Sequence, residues 1–208
     1  TMVLNQKPYI SKNGLLDLVN DNLSSEPLYP PIHISGEDIE VVITHGNGYG
    51  EAYYSFVNGQ YTPQGGTHQA ALREAVAKTI KEFYHKDYEP ADIRTSIIAA
   101  VSVRINDPIF ESQTKTKLGS KDKEAGVTMR QFVGDFLATN LDNYLHKHPD
   151  VAQTLQKKIL DNEKERKEIS GVQKKAREAA KKVSLNNKKL RDCKIHYTDK
   201  HELSDETM

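Results

Sequence analysis

The chain has 208 residues, 37% of them apolar and 28% charged, with 29 basic and 29 acidic side chains and a single cysteine. One cysteine, Cys193, excludes an internal disulfide framework, and no apolar run approaches the roughly 18 residues that a bilayer-spanning helix needs. The composition predicts one large or two small domains, a modest core with a long solvated element, and a reducing cytoplasmic setting for a chain without a signal peptide.

Residues 11–22, "SKNGLLDLVNDN", read as a short helix carrying Leu15, Leu16, Leu18 and Val19. "SSEPLYPPIHISG" follows as an extended connector, because Pro27, Pro30 and Pro31 forbid helix. In residues 38–44, Ile39, Val41 and Ile43 alternate with Glu40, Val42 and Thr44, which is strand periodicity. "HGNGYG" reads as a turn and "EAYYSFVN" as a returning strand, so the two are predicted to pair as a hairpin. From Thr67 to Tyr84 the spacing of Leu72, Val76, Ile80 and Phe83 predicts a helix, with Thr67 as its N-cap. "TSIIAAVSVRI", residues 95–105, is apolar and β-branched and suits a central strand buried on both faces. Ile109 and Phe110 read as a further short strand, opening into the polar loop "ESQTKTKLGS". From Gly126 a wide stripe that includes Met129, Val133, Leu137 and Leu141 predicts a helix ending at "HKHPD". A longer helix over about 150–183 carries a thin stripe of Val151, Leu155, Ile159, Ile169, Val172, Ala176 and Ala180. A helix so sparse in apolar residues is expected to project from the body or pack on a partner. The tail "KIHYTDKHELSDETM" is polar. The order implies an α/β sandwich with a long C-terminal helical extension.

The charge is unevenly spread. Between Lys157 and Lys194 fourteen basic residues face six acidic ones, so the preceding part is acidic. From Lys174 to Arg191 a single acid, Glu178, stands against Lys174, Lys175, Arg177, Lys181, Lys182, Lys188, Lys189 and Arg191. Such a run is either a solvated helix face with i,i+4 pairs or a surface for a polyanion. Without aromatic residues there, nucleic acid would be held through its phosphates and not by stacking.

Other candidate sites are weaker. "GNGYG" joins strand to strand, whereas phosphate-binding glycines need a helix to follow. "QGGTH" (Gln64 to His68) precedes a helix, and its plain reading is a structural cap, with an anion site as the alternative. Cys193, His196 and His201 lack a fourth ligand at zinc-site spacing, so no metal is expected. No nucleophile–base signature or Walker A sequence is present.

Three stretches in order, "QGGTHQAALREAV", "DPIFESQTKTKLGS" and "KVSLNNKKLRDC", resemble the B subunits of bacterial type IIA DNA topoisomerases, gyrase and topoisomerase IV. The resemblance runs from about Asn13 to Cys193 and covers only the transducer domain of such a subunit. The family's ATP-binding motifs and the Glu-Gly-Asp-Ser motif of its toprim domain are absent, so the chain reads as a piece of a longer subunit with Thr1-Met2 foreign to it. The resemblance implies four segments: residues 1–37 (helix and connector), 38–148 (transducer core), 149–192 (long basic helix) and 193–208 (a tail toward the toprim domain). It also implies a four-stranded sheet with a left-handed βαβ crossover, against the usual right-handed rule. Gln113 and Lys115 would contact the ATP γ-phosphate in the neighbouring ATPase domain, with Lys115 as the catalytic group. ATP would be the cofactor of the whole subunit, with Mg²⁺ held by the other domains. The partners would be a DNA duplex, the subunit's own ATPase and toprim domains, an A-type subunit, and a second copy of the B subunit in a homodimer, without a membrane. "SLNNKKLRDC" in place of a Gly-Leu-Pro-Gly run points to the topoisomerase IV kind. Thr95 and Ser96 stand where a Glu-Gly pair is usual. The competing reading is a stand-alone nucleic-acid-binding α/β module that uses the basic helix, with the Gln-Thr-Lys loop as ordinary surface.

Overall fold

The computed structural model describes residues 2–9, 11–23 and 25–185. The chain divides into two units, Thr1–Glu163 and Lys164–Met208. In chain order the elements are β1 (Met2–Leu4), β2 (Lys7–Tyr9), α1 (Leu15–Asp21), β3 (Ile32–Ser35), β4 (Ile39–His45), β5 (Ala52–Val57) and β6 (Gln60–Tyr61). These are followed by α2 (Thr67–Tyr84), α3 (Pro90–Arg94), β7 (Ile97–Val103), β8 (Asp122–Glu124), β9 (Val127–Thr128), α4 (Met129–Lys147) and α5 (Pro149–Leu185).

The main sheet runs β3-β4-β7-β5-β6, with β7 antiparallel to β4 and parallel to β5. β7 occupies the centre because Ile97, Ala99, Val101 and Val103 are buried on one face and Ala100 on the other. The predicted hairpin of β4 with β5 does not form. The turn after β4 leaves a gap one strand wide, which β7 enters: Gly46 N–H donates to Ser96 O at 3.0 Å and Ser96 N–H to Gly50 O at 2.7 Å. The hairpin partner of β4 is instead β3, in the segment read as a connector, with Ile32 opposite Ile43. Its prolines exclude helix, but they precede an edge strand, a position that tolerates them. Where four strands were expected there are five, because β6 adds two residues to the edge of β5.

The two faces are covered unequally. Ile39, Val41 and Ile43 of β4 point into the main core with Leu72, Val76 and Ile80 of α2, Val133, Leu137 and Leu141 of α4, and Leu155 and Ile159 of α5. On the other face Val42 and Ala100 are covered by Leu15 and Val19 of α1. The central strands are therefore apolar on both sides, as a sheet covered on both faces requires. In the core His45 accepts from the Tyr29 hydroxyl through Nδ1 at 2.5 Å, and its Nε2–H donates to the Ile93 carbonyl at 2.8 Å. The carbonyl can only accept, so the tautomer is set. Burial pushes the His45 pKa down to about 4, so the ring is neutral near pH 7.

Two helix starts differ instructively. Thr128 caps α4, its hydroxyl accepting from Gln131 N–H at 3.2 Å. The predicted cap at Thr67 is not one. Gly66 takes the cap position of α2 and Thr67 begins the helix, which leaves the Thr67 hydroxyl to bond elsewhere.

Candidate phosphate-sensing loop

The segment from Ile109 to Ser120 leaves the sheet region and returns. No strand forms at Ile109 and Phe110: Phe110 makes an isolated bridge to Leu118, and Ile109 is 70% exposed. The polar residues that follow cannot bury a face, so the chain closes as a loop. Its feet are tied at Ser120, which is buried. Gly119 N–H and Ser120 N–H donate to Ile109 O at 2.8 and 3.1 Å, and Ile109 N–H donates to Ser120 Oγ at 2.7 Å. Above them Glu111 N–H donates to Lys117 O at 3.0 Å. The side chains of the same two residues form an ion pair at 2.9 Å.

Gln113 and Lys115 stand at the tip, both exposed. A tight turn there has Lys115 N–H donating to Ser112 O at 3.0 Å, and it places Lys115 in the left-handed region at φ 55°. Ser112 and Thr114 hydroxyls bond each other at 2.7 Å. The Lys115 ammonium lies 6.0 Å from the centre of the Phe110 ring, at the outer limit of a cation–π contact. The structure therefore presents an ammonium and a carboxamide two residues apart on a closed turn. Such a pair can donate to an anion, and neither side chain is buried.

The returning arm lies beside the start of α2. Gln64 N–H donates to Thr116 O, Leu118 N–H to Gly65 O, and Thr67 N–H to Leu118 O, at 3.0, 3.0 and 3.3 Å. Gly66, at φ 138°, passes so close that a Cβ would sit 2.5 Å from Leu118 O and 2.6 Å from Leu118 N. Only glycine fits that approach. The "QGGTH" and "QTKTKLG" motifs, about fifty residues apart, are thus one structural feature. A cleft of about 470 Å³ lies alongside, lined among others by Gln64, Arg73, Glu111, Lys117 and Lys121.

Two features of this region were not anticipated from the sequence. Glu51 receives bonds from Tyr53 OH at 2.8 Å, from Arg73 Nε and Nη2 at 3.0 and 3.1 Å, and from Arg94 Nε at 3.3 Å. Burial works to raise its pKa, but the Tyr53 bond and the two guanidinium charges prevail and hold the carboxyl below its usual range. The pair Glu51–Arg73 ties α2 to the start of β5. Second, His68 on the first turn of α2 is fully buried, with Nε2 3.3 Å from Thr62 Oγ1 and Nδ1 without a hydrogen-bond partner. Burial lowers its pKa to about 4. A histidine in "QGGTH" and an acid just ahead of a strand carry no spacing signal that would have marked these contacts.

The basic residues named from the sequence lie in the other unit. Lys174, Lys175 and Arg177 are exposed on α5, as is every residue from 164 to 180. Lys181 and Lys182 belong to the helix, while Lys188, Lys189 and Arg191 fall outside the described residues, as do Cys193, His196 and His201. Among the described residues no group of three or more His, Cys, Asp or Glu could hold a metal, and no helix is long and apolar enough to cross a membrane.

A family model described as DNA gyrase B matches residues 12–182. The chain is 44% identical to the B subunit of DNA topoisomerase 4 from Borreliella burgdorferi over 205 residues, covering 98% of this chain and 33% of that protein. It is 32% identical to the B subunit of DNA gyrase from Helicobacter pylori over 206 residues, covering 90% and 25%. Two solved structures share the fold. The 43K ATPase domain of Thermus thermophilus gyrase B, in complex with an aminocoumarin, superposes with a TM-score of 0.63 at 24% identity over 82% of this chain and 47% of that one. The topoisomerase IV ATP-binding domain of Francisella tularensis, in complex with a small-molecule inhibitor, gives 0.58 at 24% identity over 74% and 42%. The chain spans a quarter to a third of the length of these sequence relatives. With most of its length matched by the family and relatives above 30% identity along nearly all of it, this chain belongs to the DNA gyrase B family, the B subunits of type IIA topoisomerases.

Proposed function

We propose that this chain is the transducer segment of the B subunit of an ATP-dependent type IIA DNA topoisomerase, of the topoisomerase IV kind, and that Gln113 and Lys115 read the γ-phosphate of ATP bound in the subunit's own ATPase domain. The observation that carries this reading is the loop: an ammonium and a carboxamide displayed at the tip of a turn whose feet are fastened at Ser120 and along α2. A lysine is a compact charge suited to a terminal phosphate, and the Gln113 amide donates beside it. A γ-phosphate contact exists before hydrolysis and vanishes after it, so it biases two domain arrangements. Lys115 is the catalytic group in this reading. Mg²⁺ enters through the other domains.

The remaining assignments extend the same reading. The parallel β5–α2–β7 unit is the transducer crossover, taken as left-handed. Residues 1–37, 38–148, 149–192 and 193–208 are entry, core, basic helix and passage to a toprim domain. The whole subunit works in the cytoplasm as a homodimer with an A-type subunit, and strand passage of a DNA duplex is coupled to ATP. Lys174, Lys175, Arg177, Lys181, Lys182, Lys188, Lys189 and Arg191 face that DNA through its phosphates.

The test is ATP turnover by the full-length subunit carrying Lys115→Ala. Loss of one preorganised donor to a transferring group lowers turnover by roughly 100- to 1,000-fold. Turnover within twofold of wild type removes Lys115 from the reaction. The chain by itself is expected to hydrolyse no ATP. The exposed basic run of α5 supports a second reading, a nucleic-acid-binding module. Salt-sensitive duplex binding by the isolated chain, together with unchanged turnover of the full-length Lys115→Ala variant, would favour it.

A further inference from the structure

We infer that Thr67 is a positioning residue for the phosphate-sensing loop, an inference that rests on the proposed role of Lys115. Four hydrogen bonds join the start of α2 to the returning arm of the loop. Three run between backbone groups and do not depend on the Thr67 side chain: Gln64 to Thr116, Leu118 to Gly65, and Thr67 to Leu118. The fourth depends on a side chain, Thr67 Oγ1–H donating to Ser120 O at 2.5 Å. It falls on the residue that also clasps the other foot, since Ser120 N–H and Oγ both bond Ile109. One hydroxyl therefore ties the start of α2 to the residue that clasps both feet of the loop.

The geometry explains why a threonine sits where a capping residue was expected and does not cap. Gly66 holds the cap position at φ 138° and lies flat on Leu118, so the Thr67 hydroxyl is directed across to the loop. Lys115 is five residues from Ser120 along the chain. At about 3.3 Å per residue the tip can lie up to roughly 16 Å from the clasp, so a small tilt at the foot becomes a large displacement of the ammonium. Misplacing a reacting contact by about 1 Å costs on the order of 100-fold in rate. Neither Thr67 nor Ser120 needs to touch nucleotide.

The experiment uses the full-length subunit, with Thr67→Val, Thr67→Ser, Lys115→Ala and the double variant Thr67→Val/Lys115→Ala. Three readouts are taken: ATP turnover, affinity for the β,γ-imido analogue of ATP, and affinity for ADP. Valine keeps the β-branched shape and removes the donor. The expected result is a roughly tenfold fall in turnover and weaker binding of the triphosphate analogue, with ADP affinity unchanged, because ADP has no γ-phosphate to reach. Thr67→Ser, which retains the hydroxyl, recovers most of the loss. In the Lys115→Ala background Thr67→Val adds nothing further, since the two act through one contact.

Equal losses of ADP and analogue affinity, or a Thr67→Val loss that persists undiminished without Lys115, would mean a merely structural role and overturn the inference. A collapse with Lys115→Ala beside wild-type behaviour of Thr67→Val overturns it alone. An unaffected Lys115→Ala overturns the underlying reading with it. Should Thr67→Val fail to fold, Ser120→Ala reads the same clasp from the other side. It removes the acceptor of Ile109 N–H while keeping the Ser120 carbonyl, and the same split between analogue and ADP is expected.

Discussion

The two ends of α5 are one helix made under different rules. Between Pro149 and Asn162, Val151, Ala152, Leu155, Ile159 and Asn162 are buried, and Asn162 Nδ2 donates to Asp92 O at 2.8 Å. From Lys164 to Ala180 every residue is exposed, including Ile169 at 57% and Val172 at 67%. The first stretch is helical because its apolar face has somewhere to go. The second is helical because Glu, Lys, Arg, Gln and Ala are strong helix formers that lose little side-chain freedom in a helix. Packing dictates one stretch and local propensity the other. The same contrast separates the core of the α/β unit from its loop, where closure rests on hydrogen bonds and one glycine.

The sharpest way to break this comparison is to treat both ends alike. Leu155→Ala, at a residue 1% exposed, is expected to cost about 2–5 kcal/mol in chemical denaturation of the chain. A loss under about 1 kcal/mol would mean that the first turns of α5 are not core. Acidification probes the core from another side. His45 and His68 are held near pKa 4 by burial, against 6.5 in the unfolded chain. Between those values the unfolded state binds more protons, so stability is fully present above about pH 6.5 and falls as the pH drops toward 4. At about pH 4.5 the loss is on the order of 2 kcal/mol for each histidine. Replacing His45 by Gln should flatten that part of the pH profile, and an unchanged slope would count against His45 as its source. The smallest effect belongs to the exposed end. Ile169→Ala should change the stability by less than about 0.5 kcal/mol, and a change above about 1 kcal/mol would show that this face is covered.

The sequence was readable where a single physical rule dominates. The 3.6-residue spacing from Thr67 to Tyr84 and the two-sided apolar run of β7 appear in the structure as expected. Pairing was not readable. The six-residue turn after His45 suits an adjacent return as well as one that skips a strand, and the decision rests with β7, about fifty residues on. The Thr67 cap failed because a hydroxyl before a helix suits two jobs, and the bond it makes reaches Ser120, 53 residues away. Gly66 stood in a motif read as a structural cap or an anion site, and the partner it approaches, the backbone of Leu118, was not legible there. Gln113 and Lys115 came from the family resemblance. Their residue types alone allowed ordinary solvated surface.

The place of β7 between β4 and β5 also orders the birth of the fold. During synthesis β4 and β5 emerge early, yet they have no direct ladder between them and must wait until Val103 has appeared. A nascent chain stopped before Ile97 holds two apolar strands, each with an unpaired edge, an invitation to pair with a neighbouring chain. The centre of the sheet is its last strand to arrive, so half-made copies of this protein are the ones that a cell must keep apart.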